Sequence, residues 1–262
     1  MRQVQTENVT RYVSNKTGDD ANDGSSPDLP LRTIARAIDI IAFSHDMAGF
    51  SATIKLDDGE YDEGILISGA FLGNAQISVT GNLAAPEKVV VASAAGRSAI
   101  TVQDFACATF NGMTIAAGPD GNGIVAQKFG IADIGEAIRF GSIEGIGSHI
   151  FANPQGRINS LAGYTIAGGA GHHVGINHGV VATAGVAVQI PNALSFATFA
   201  SVQFGGFYQA PAMHFVGAGV AGTTGRRFLI DTCGVIQTNG GGDSYFPGDA
   251  AGSIVGGCGA YQ

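Results

Sequence analysis

The sequence predicts an all-β parallel β-helix, a solenoid in which coils of about 24 residues stack on one another. Pairs of apolar residues with period two recur at this interval through much of the 262-residue chain. Polar residues recur at the same interval, and glycine, which suits tight turns, supplies 41 residues. A shared constant offset is typical of stacked repeats, whereas the unrelated strands of a glycine-rich β-sandwich would not show one.

Two apolar series define the predicted coils, and each pair in them is expected to be a short strand with one buried face. The first series is Ile65/Ile67, Val89/Val91, Met113/Ile115, Ile138/Phe140, Ala162/Tyr164 and Val186/Val188. The second series is Ile54/Leu56, Ile77/Val79, Ile100/Val102 and Ile124/Ala126. Together they predict about six to seven coils, or a column of roughly 30 Å.

Polar residues with the same offset are expected to be neighbours on adjacent coils, about 4.8 Å apart. The predicted neighbours are His149 with His173, Asn153 with Asn177 and Ser201, Asp104 with Lys128, and Asp133 with Arg157. The asparagines would satisfy backbone groups of turns, and the opposite charges would form ion pairs between coils.

Both ends depart from the repeat, as the caps of a solenoid must. Leu31, Ile34, Ile38 and Ile41 have helical spacing and follow Pro30, so residues 31–42 are predicted to form an amphipathic capping helix. The predicted divisions are an N-terminal anchor (1–11), an entry strand and capping helix (12–45), the β-helix (46–216) and a C-terminal cap and oligomerisation module (217–262).

The charge and cysteine content argue against nucleic-acid binding, membrane insertion, a disulfide framework and a zinc site. The chain has 13 basic and 21 acidic residues, with no basic stripe, so a nucleic-acid partner is disfavoured. Residues 158–225 carry no full charge, but their most apolar part is interrupted by Gln189, Pro191 and Asn192, which favours strands over membrane insertion. Three cysteines without CxxC spacing predict reduced thiols, with neither a disulfide framework nor a zinc site.

The sequence offers one candidate catalytic pair. Glycosidases use two carboxylates about 5–9.5 Å apart, and Asp120 and Glu144 are separated by one coil. However, Asp120 lies in the strong turn sequence Gly118-Pro119-Asp120-Gly121, and no Asp or Glu occurs between Gly145 and Leu229. No catalytic site is therefore predicted, and Asp120 with Glu144 is the alternative.

Binding groups point to sugars rather than to metals. The acidic loop at residues 19–24 does not match a calcium loop, because Ala21 and Pro30 occupy ligand positions. Stacked His149 and His173, or a ring of histidines around a trimer axis, would be the alternative metal ligands, but no metal and no cofactor are predicted. The predicted glycan-binding residues are Phe207, Tyr208, Gln209 and His214.

Two segments resemble known families. YVSNKTGDDANDGSSPDLPLRTIARAID, at residues 12–39, resembles the entry segment of pectin-lyase-like right-handed β-helix proteins. GRRFLIDTCGVIQTNGGGDSYFPGDAAG, at residues 225–252, resembles the closing module of phage tail-fibre and tail-spike proteins and of gene-transfer-agent fibres. The resemblance implies right-handed coils, a homotrimer, assembly into a phage-like particle and contact with a cell-surface polysaccharide.

The favoured function is therefore a virion fibre that attaches to a cell-surface polysaccharide without cleaving it. One alternative is a polysaccharide-degrading tail spike, a glycosidase or lyase with a site between subunits, and a second is a structural fibre or decoration protein. The first ten residues lack the apolar core of a signal peptide, so assembly in the bacterial cytoplasm and residence in the virion are expected.

Overall fold

The computed structural model describes residues 2–73 and 76–262, which form a parallel β-solenoid of about eight turns with about 26 residues per turn. Its coils are built from three parallel sheets, which we call sheet 1 (ten strands), sheet 2 (seven strands) and sheet 3 (eight strands), and a separate two-stranded parallel sheet pairs Gln3–Val4 with His45–Asp46. A typical coil passes through sheet 1, then sheet 2, then sheet 3. The predicted all-β parallel solenoid is confirmed, and its right-handed winding stays a prediction.

The strands have the following bounds. Sheet 1 contains Val9–Val13, Ala52–Leu56, Ile77–Thr80, Cys107–Asn111, Ile131–Ile134, Arg157–Ser160, Val180–Ala182, Phe207–Gln209, Val235–Gln237 and Ala260–Tyr261. Sheet 2 contains Gly59–Tyr61, Val89–Ala92, Met113–Ala116, Ile138–Phe140, Tyr164–Ile166, Ala187–Gln189 and His214–Val216. Sheet 3 contains Ile65–Ser68, Ile100–Gln103, Ile124–Ala126, Ser148–Ala152, Ala170–Asn177, Ser195–Gln203, Thr224–Asp231 and Ser253–Val255.

The core consists of inward rows of aliphatic and aromatic side chains. The strand register confirms the predicted alignments of Met113 with Ile138 and of Tyr164 with Val188, but between them it aligns Ile138 with Tyr164 rather than with Ala162. The predicted series fail in the first coils, where Ile65 pairs with Ile100 in sheet 3 rather than aligning with Val89 of sheet 2. The reason is that the turns vary in length, so that the step in sheet 1 from Ile77 to Ala108 is longer than the step from Arg157 to Val180.

The N-terminal end of the column is covered by helix α1, Ile34–Ser44, and its hydrophobic face contributes Ile34, Ile38 and Ile41 to the core. The helix begins three residues later than predicted, because Leu31 forms a β-bridge with Val13. Thr33 then caps the helix through its hydroxyl oxygen, which accepts a hydrogen bond from the Arg36 backbone amide at 3.2 Å.

The C-terminal segment continues the same sheets. Strands of residues 224–231 and 253–255 extend sheet 3, and strands of residues 235–237 and 260–261 extend sheet 1. A loop across residues 238–252 replaces a further strand of sheet 2 and places Phe246 over the core, against Phe199 and Tyr208 with ring centroids 5.7 Å from each. The oligomerising role of residues 217–262 stays a prediction.

The prediction of reduced thiols is wrong for two of the three cysteines. Cys233 and Cys258 form a disulfide, while Cys107 is free and partly buried. The two bonded residues follow consecutive strands of sheet 3, so stacking brings their Cα atoms within 4.5 Å despite 25 residues of separation. The separation of 25 residues is about the length of one coil, so the solenoid register accounts for the pairing, whereas the search for a CxxC motif did not.

Of the two ion pairs predicted between coils, one is confirmed and one is wrong. Lys128 and Asp104 lie 4.0 Å apart, which confirms that pair. The predicted pair of Asp133 and Arg157 is wrong, because the register places Asn159 beside Asp133. The Asn159 amide donates to Asp133 Oδ1 at 2.7 Å and itself accepts from Arg157 Nε at 2.7 Å.

Candidate functional site

The four predicted glycan-binding residues do not form one cluster. Phe207, Tyr208 and Gln209 form one strand of sheet 1, and His214 is exposed on sheet 2. The assignment of Tyr208 is corrected, because its side chain points into the core and is fully buried. Its hydroxyl accepts a hydrogen bond from the Thr183 hydroxyl at 3.1 Å, so its ring presents no face to a sugar.

Asp120 and Glu144 do lie on neighbouring coils, where the Asp120 amide donates to the Glu144 carbonyl at 2.8 Å. Asp120 Oδ1 also accepts from the Ile146 amide at 3.0 Å. The Asp120 carboxylate therefore stabilises the turn above it, as its turn sequence suggested. A catalytic role for the pair stays the alternative prediction.

The outer face of sheet 3 carries two depressions. The upper groove has a volume of about 260 Å³, and the lower cleft has a volume of about 800 Å³. The upper groove is lined by residues that include Asp120, Asn122, Ser148, Phe151, His172, Gly175, Asn177, Ser201 and Gln203. The lower cleft is lined by residues that include Asp39, Asp62, Glu63, Leu66, Arg97 and Thr101.

The strand register shows that both depressions follow one line along the column. An outward row on sheet 3 runs Leu66, Thr101, Val125, Phe151, Gly175, Ser201. Its first two residues line the lower cleft and its last three line the upper groove. Thr101 and Phe151 are two coils apart, about 10 Å, so a linear ligand along the column would meet both depressions.

A glycine gives the upper groove its floor. The ring of Phe151 lies against Gly175, where a Cβ atom would come within 2.9 Å of Phe151 Cδ2 and 2.7 Å of Ser148 Oγ. Only a residue without a side chain leaves room there for the ring to lie across the strand. The floor of the groove therefore combines a partly exposed aromatic ring with bare backbone.

A row of amide side chains borders the groove. Gln103, Gln127, Asn153, Asn177 and Gln203 end or follow successive strands of sheet 3. In the lower part they bond to each other, with Gln127 Nε2 donating to Gln103 Oε1 at 2.7 Å and Asn153 Nδ2 donating to Gln127 Oε1 at 3.3 Å. The predicted ladder is corrected at one position, because Asn177 aligns with Gln203 and not with Ser201.

The upper part of this row keeps hydrogen-bonding capacity. Among the described residues, the side chain of Asn177 has no hydrogen-bond partner, and Gln203 uses its amide nitrogen on Ser201 Oγ at 3.2 Å. Ser148 Oγ and His172 Nδ1 lie 3.5 Å apart in the same groove. Burial lowers the pKa of His172, which keeps the imidazole neutral near pH 7. The groove thus offers neutral donors and acceptors, the groups that bind hydroxyls.

The lower cleft is acidic by comparison. Glu63 Oε1 accepts a hydrogen bond from the Ile34 amide at 2.9 Å and so helps to cap α1. Partial burial raises the pKa of Glu63 in spite of this hydrogen bond, and the nearby charges of Asp20 and Asp62 add to the rise. A carboxyl group with a raised pKa beside other acids is a combination that acid–base catalysis uses.

Sequence reasoning missed an aromatic edge where sheet 3 turns into sheet 1. Phe105 stacks on Phe129 with ring centroids 5.0 Å apart, and His178 stacks on Phe204 at 5.4 Å. All four residues have left-handed backbone conformations, with φ between 52° and 67°. The signal was present in the sequence, because Asp104-Phe105 and Lys128-Phe129 have the same offset as the predicted coils.

The predicted neighbours His149 and His173 are confirmed inside the column, where both are fully buried. Their Nδ1 atoms lie 3.2 Å apart, His173 Nε2 is 2.8 Å from the Tyr164 hydroxyl, and His149 Nε2 is 2.9 Å from the Gly141 carbonyl. Burial lowers the pKa of His149 to about 4. Within residues 2–73 and 76–262, no three His, Cys, Asp or Glu side chains converge as metal ligands would.

Comparison with known proteins gave no relative. No protein-family model, curated protein sequence or solved structure matched the chain. In the part of the chain that the structure describes, no helix has the length and apolar character needed to cross a membrane.

Proposed function

We propose that the protein is a virion attachment fibre whose sheet 3 binds a linear cell-surface polysaccharide without cleaving it. The observation that carries the proposal is the alignment of the upper groove and the lower cleft along one outward row of sheet 3. A polymer needs such an extended track, whereas a small metabolite would be served by one enclosed cavity.

The chemistry of the upper groove favours sugar hydroxyls. Asn177, Ser201 and Gln203 supply neutral polar groups, and Phe151 supplies an apolar surface for the carbon face of a pyranose ring. Asp120 is the one carboxylate in the described lining of this groove, and it already accepts the Ile146 amide hydrogen. Glycosidases need two carboxylates, so binding suits the groove better than hydrolysis.

The assignment to a virion rests on the resemblance of residues 12–39 and 225–252 to β-helix and virion-fibre segments. The same resemblance supports a homotrimer and attachment to a phage-like particle assembled in the bacterial cytoplasm. The exposed aromatic edge formed by Phe105, Phe129 and Phe204 also supports contact with other protein chains, because exposed apolar surfaces commonly mark interaction sites. The alternative is a structural fibre that binds no glycan, in which the depressions on sheet 3 would have no ligand.

The test is size-exclusion light scattering of host-surface polysaccharide with and without the protein. We expect the polysaccharide peak to gain protein mass at unchanged chain length. The variants Phe151→Ala and Asn177→Ala should weaken this binding, while Thr109→Ala on the outer face of sheet 1 should leave it unchanged. Equal binding by all four proteins would refute the assignment to sheet 3, and no binding by any of them would refute attachment.

The lower cleft supports a second candidate function, cleavage of the bound polymer. The observation in its favour is the raised pKa of Glu63 next to the carboxylate of Asp62. In that case the light-scattering peak would move to shorter chains. Asp62→Asn, which leaves the hydrogen bond from Ile34 to Glu63 in place, should then abolish the shortening while the fold and binding persist.

A further inference from the structure

A third cavity opens on the outer face of sheet 2, away from the proposed polysaccharide track. Its volume is about 380 Å³, and we call it the Arg139 pocket. Its lining includes Pro86, Glu87, Arg139, Thr165 and Gln189. The cavity falls within the size range of small-ligand sites.

Arg139 occupies the centre of an outward row on sheet 2. The register aligns Thr114, Arg139, Thr165 and Gln189 on four successive coils. The hydroxyl of Thr114 is already committed, since it donates to the Pro86 carbonyl at 3.1 Å. Thr165 and Gln189, one and two coils above the arginine, leave neutral polar groups facing the same pocket.

The guanidinium of Arg139 has no partner among the described residues. Its Nε atom is buried without a hydrogen bond. The ion pairs found in residues 2–73 and 76–262 are Lys88 with Asp58 and Lys128 with Asp104, so even Glu87 on the rim stays more than 4.0 Å from the arginine nitrogens. A partly buried guanidinium without an acceptor is unfavourable unless a ligand supplies one.

A second arginine provides the contrast. Arg157, one coil higher on sheet 1, donates from Nε to Asn159 Oδ1 at 2.7 Å, so its side chain is held within the protein. Of these two outward arginines, Arg139 is the one that lies in a cavity and lacks an acceptor. No Asp or Glu occurs between residues 145 and 229, so the coils above the pocket add no negative charge.

We propose that the Arg139 pocket binds the carboxylate of an acidic sugar. The planar fork of a guanidinium matches a carboxylate through two parallel hydrogen bonds, which a lysine ammonium does not reproduce. Because Nε is buried, the carboxylate in this proposal meets the two Nη atoms. The hydroxyl of Thr165 and the amide of Gln189 then lie beside the anion and bind the sugar hydroxyls.

This site is independent of the proposed function of sheet 3. It lies on another sheet and shares no lining residue with the upper groove or the lower cleft. Loss of polysaccharide binding in the Phe151→Ala variant would therefore leave the Arg139 pocket intact. Conversely, failure of the Arg139 pocket would not affect the argument for sheet 3.

The test is isothermal titration of the full chain with D-glucuronate, D-glucose and acetate at low ionic strength. Glucuronate should bind at least about tenfold more tightly than glucose, which lacks the carboxylate, and more tightly than acetate, which lacks the hydroxyls. Arg139→Gln should lose about tenfold or more in glucuronate affinity, and Arg139→Lys should retain only part of it. Glu87→Gln should strengthen binding, because it removes a like charge from the rim.

Arg157→Gln is the matched control and should bind glucuronate as the wild type does. Thermal melts followed by circular dichroism would verify that each variant is folded, as expected for changes on an outer face. Equal glucuronate affinity in the wild type and Arg139→Gln would overturn the proposal. Equal affinity for acetate and glucuronate would overturn its assignment to a sugar.

Discussion

The buried histidine pair makes a quantitative prediction about acid stability. His149 Nε2 must carry a proton, because it faces the Gly141 carbonyl, and its Nδ1 is then an acceptor. His173 therefore donates from Nδ1 to His149 Nδ1 and accepts the Tyr164 hydroxyl proton at Nε2. Every ring nitrogen is used with both imidazoles neutral, and a further proton on either would break this arrangement.

The magnitude follows from the pKa difference between folded and unfolded chains. An unfolded histidine titrates near 6.5, whereas burial lowers the pKa of His149 to about 4 and that of His173 well below its usual value. Between those values the unfolded chain binds protons that the folded chain does not, so stability is full above pH 6.5 and falls as the pH drops. Between pH 8 and pH 5, each histidine should therefore lower the free energy of unfolding by about 2 kcal/mol, and the pair should lower it by about 4 kcal/mol.

The assay is urea unfolding at pH 8 and pH 5, followed by circular dichroism. The paired variant His149→Gln/His173→Gln keeps amide donors and acceptors but cannot titrate. We expect its loss of stability over this pH range to be about 4 kcal/mol smaller than that of the wild type. The exposed His178→Gln serves as control and should behave as the wild type does. Equal pH dependence of the wild type and the paired variant would refute the argument.

Three further predictions concern single sites. Cys233→Ser should lower stability by about 3 kcal/mol and expose the last coil to hydrogen exchange, because it opens a 25-residue loop; equal exchange in Cys233→Ser and the control Cys107→Ser would contradict this. Gly175→Ala should displace the Phe151 ring from the groove floor and weaken polysaccharide binding in the light-scattering assay, with a normal circular dichroism spectrum; unchanged binding would remove the ring from the site. Phe246→Ala should cost about 3–5 kcal/mol in urea unfolding, since its side chain is fully buried over the last coils, and a loss below about 1 kcal/mol would show that it is not part of the core.

Much of the fold could be predicted because a solenoid repeats its chemistry at a nearly fixed interval. The stacking of His149 on His173 and of Lys128 on Asp104 followed directly from that interval. The failures arise where coils differ in length. A slightly longer coil places Asn159, and not Arg157, beside Asp133.

The candidate site was harder to predict because it depends on which way a strand faces and on what lies above it. Tyr208 was expected on the surface, but the register stacks it inside the column, below Phe246 from a distant loop. The groove floor at Gly175 exists because Phe151 of the coil below folds across it. Neither contact has a local signal in the sequence. The lack of a hydrogen-bond partner for Arg139 could not be predicted either, because it depends on all the residues that surround its side chain in the folded chain.

The unequal coil lengths have a consequence for how such a protein changes over generations. Long and short steps between coils alike return the chain to the same strand register, so added residues are absorbed in the turns. The column and the turns can therefore vary separately, with the core constrained by packing and the turns free to gain or lose residues. Under the proposed attachment function, residues at the edges of the grooves could change the binding specificity while the packed core that supports the grooves stays the same.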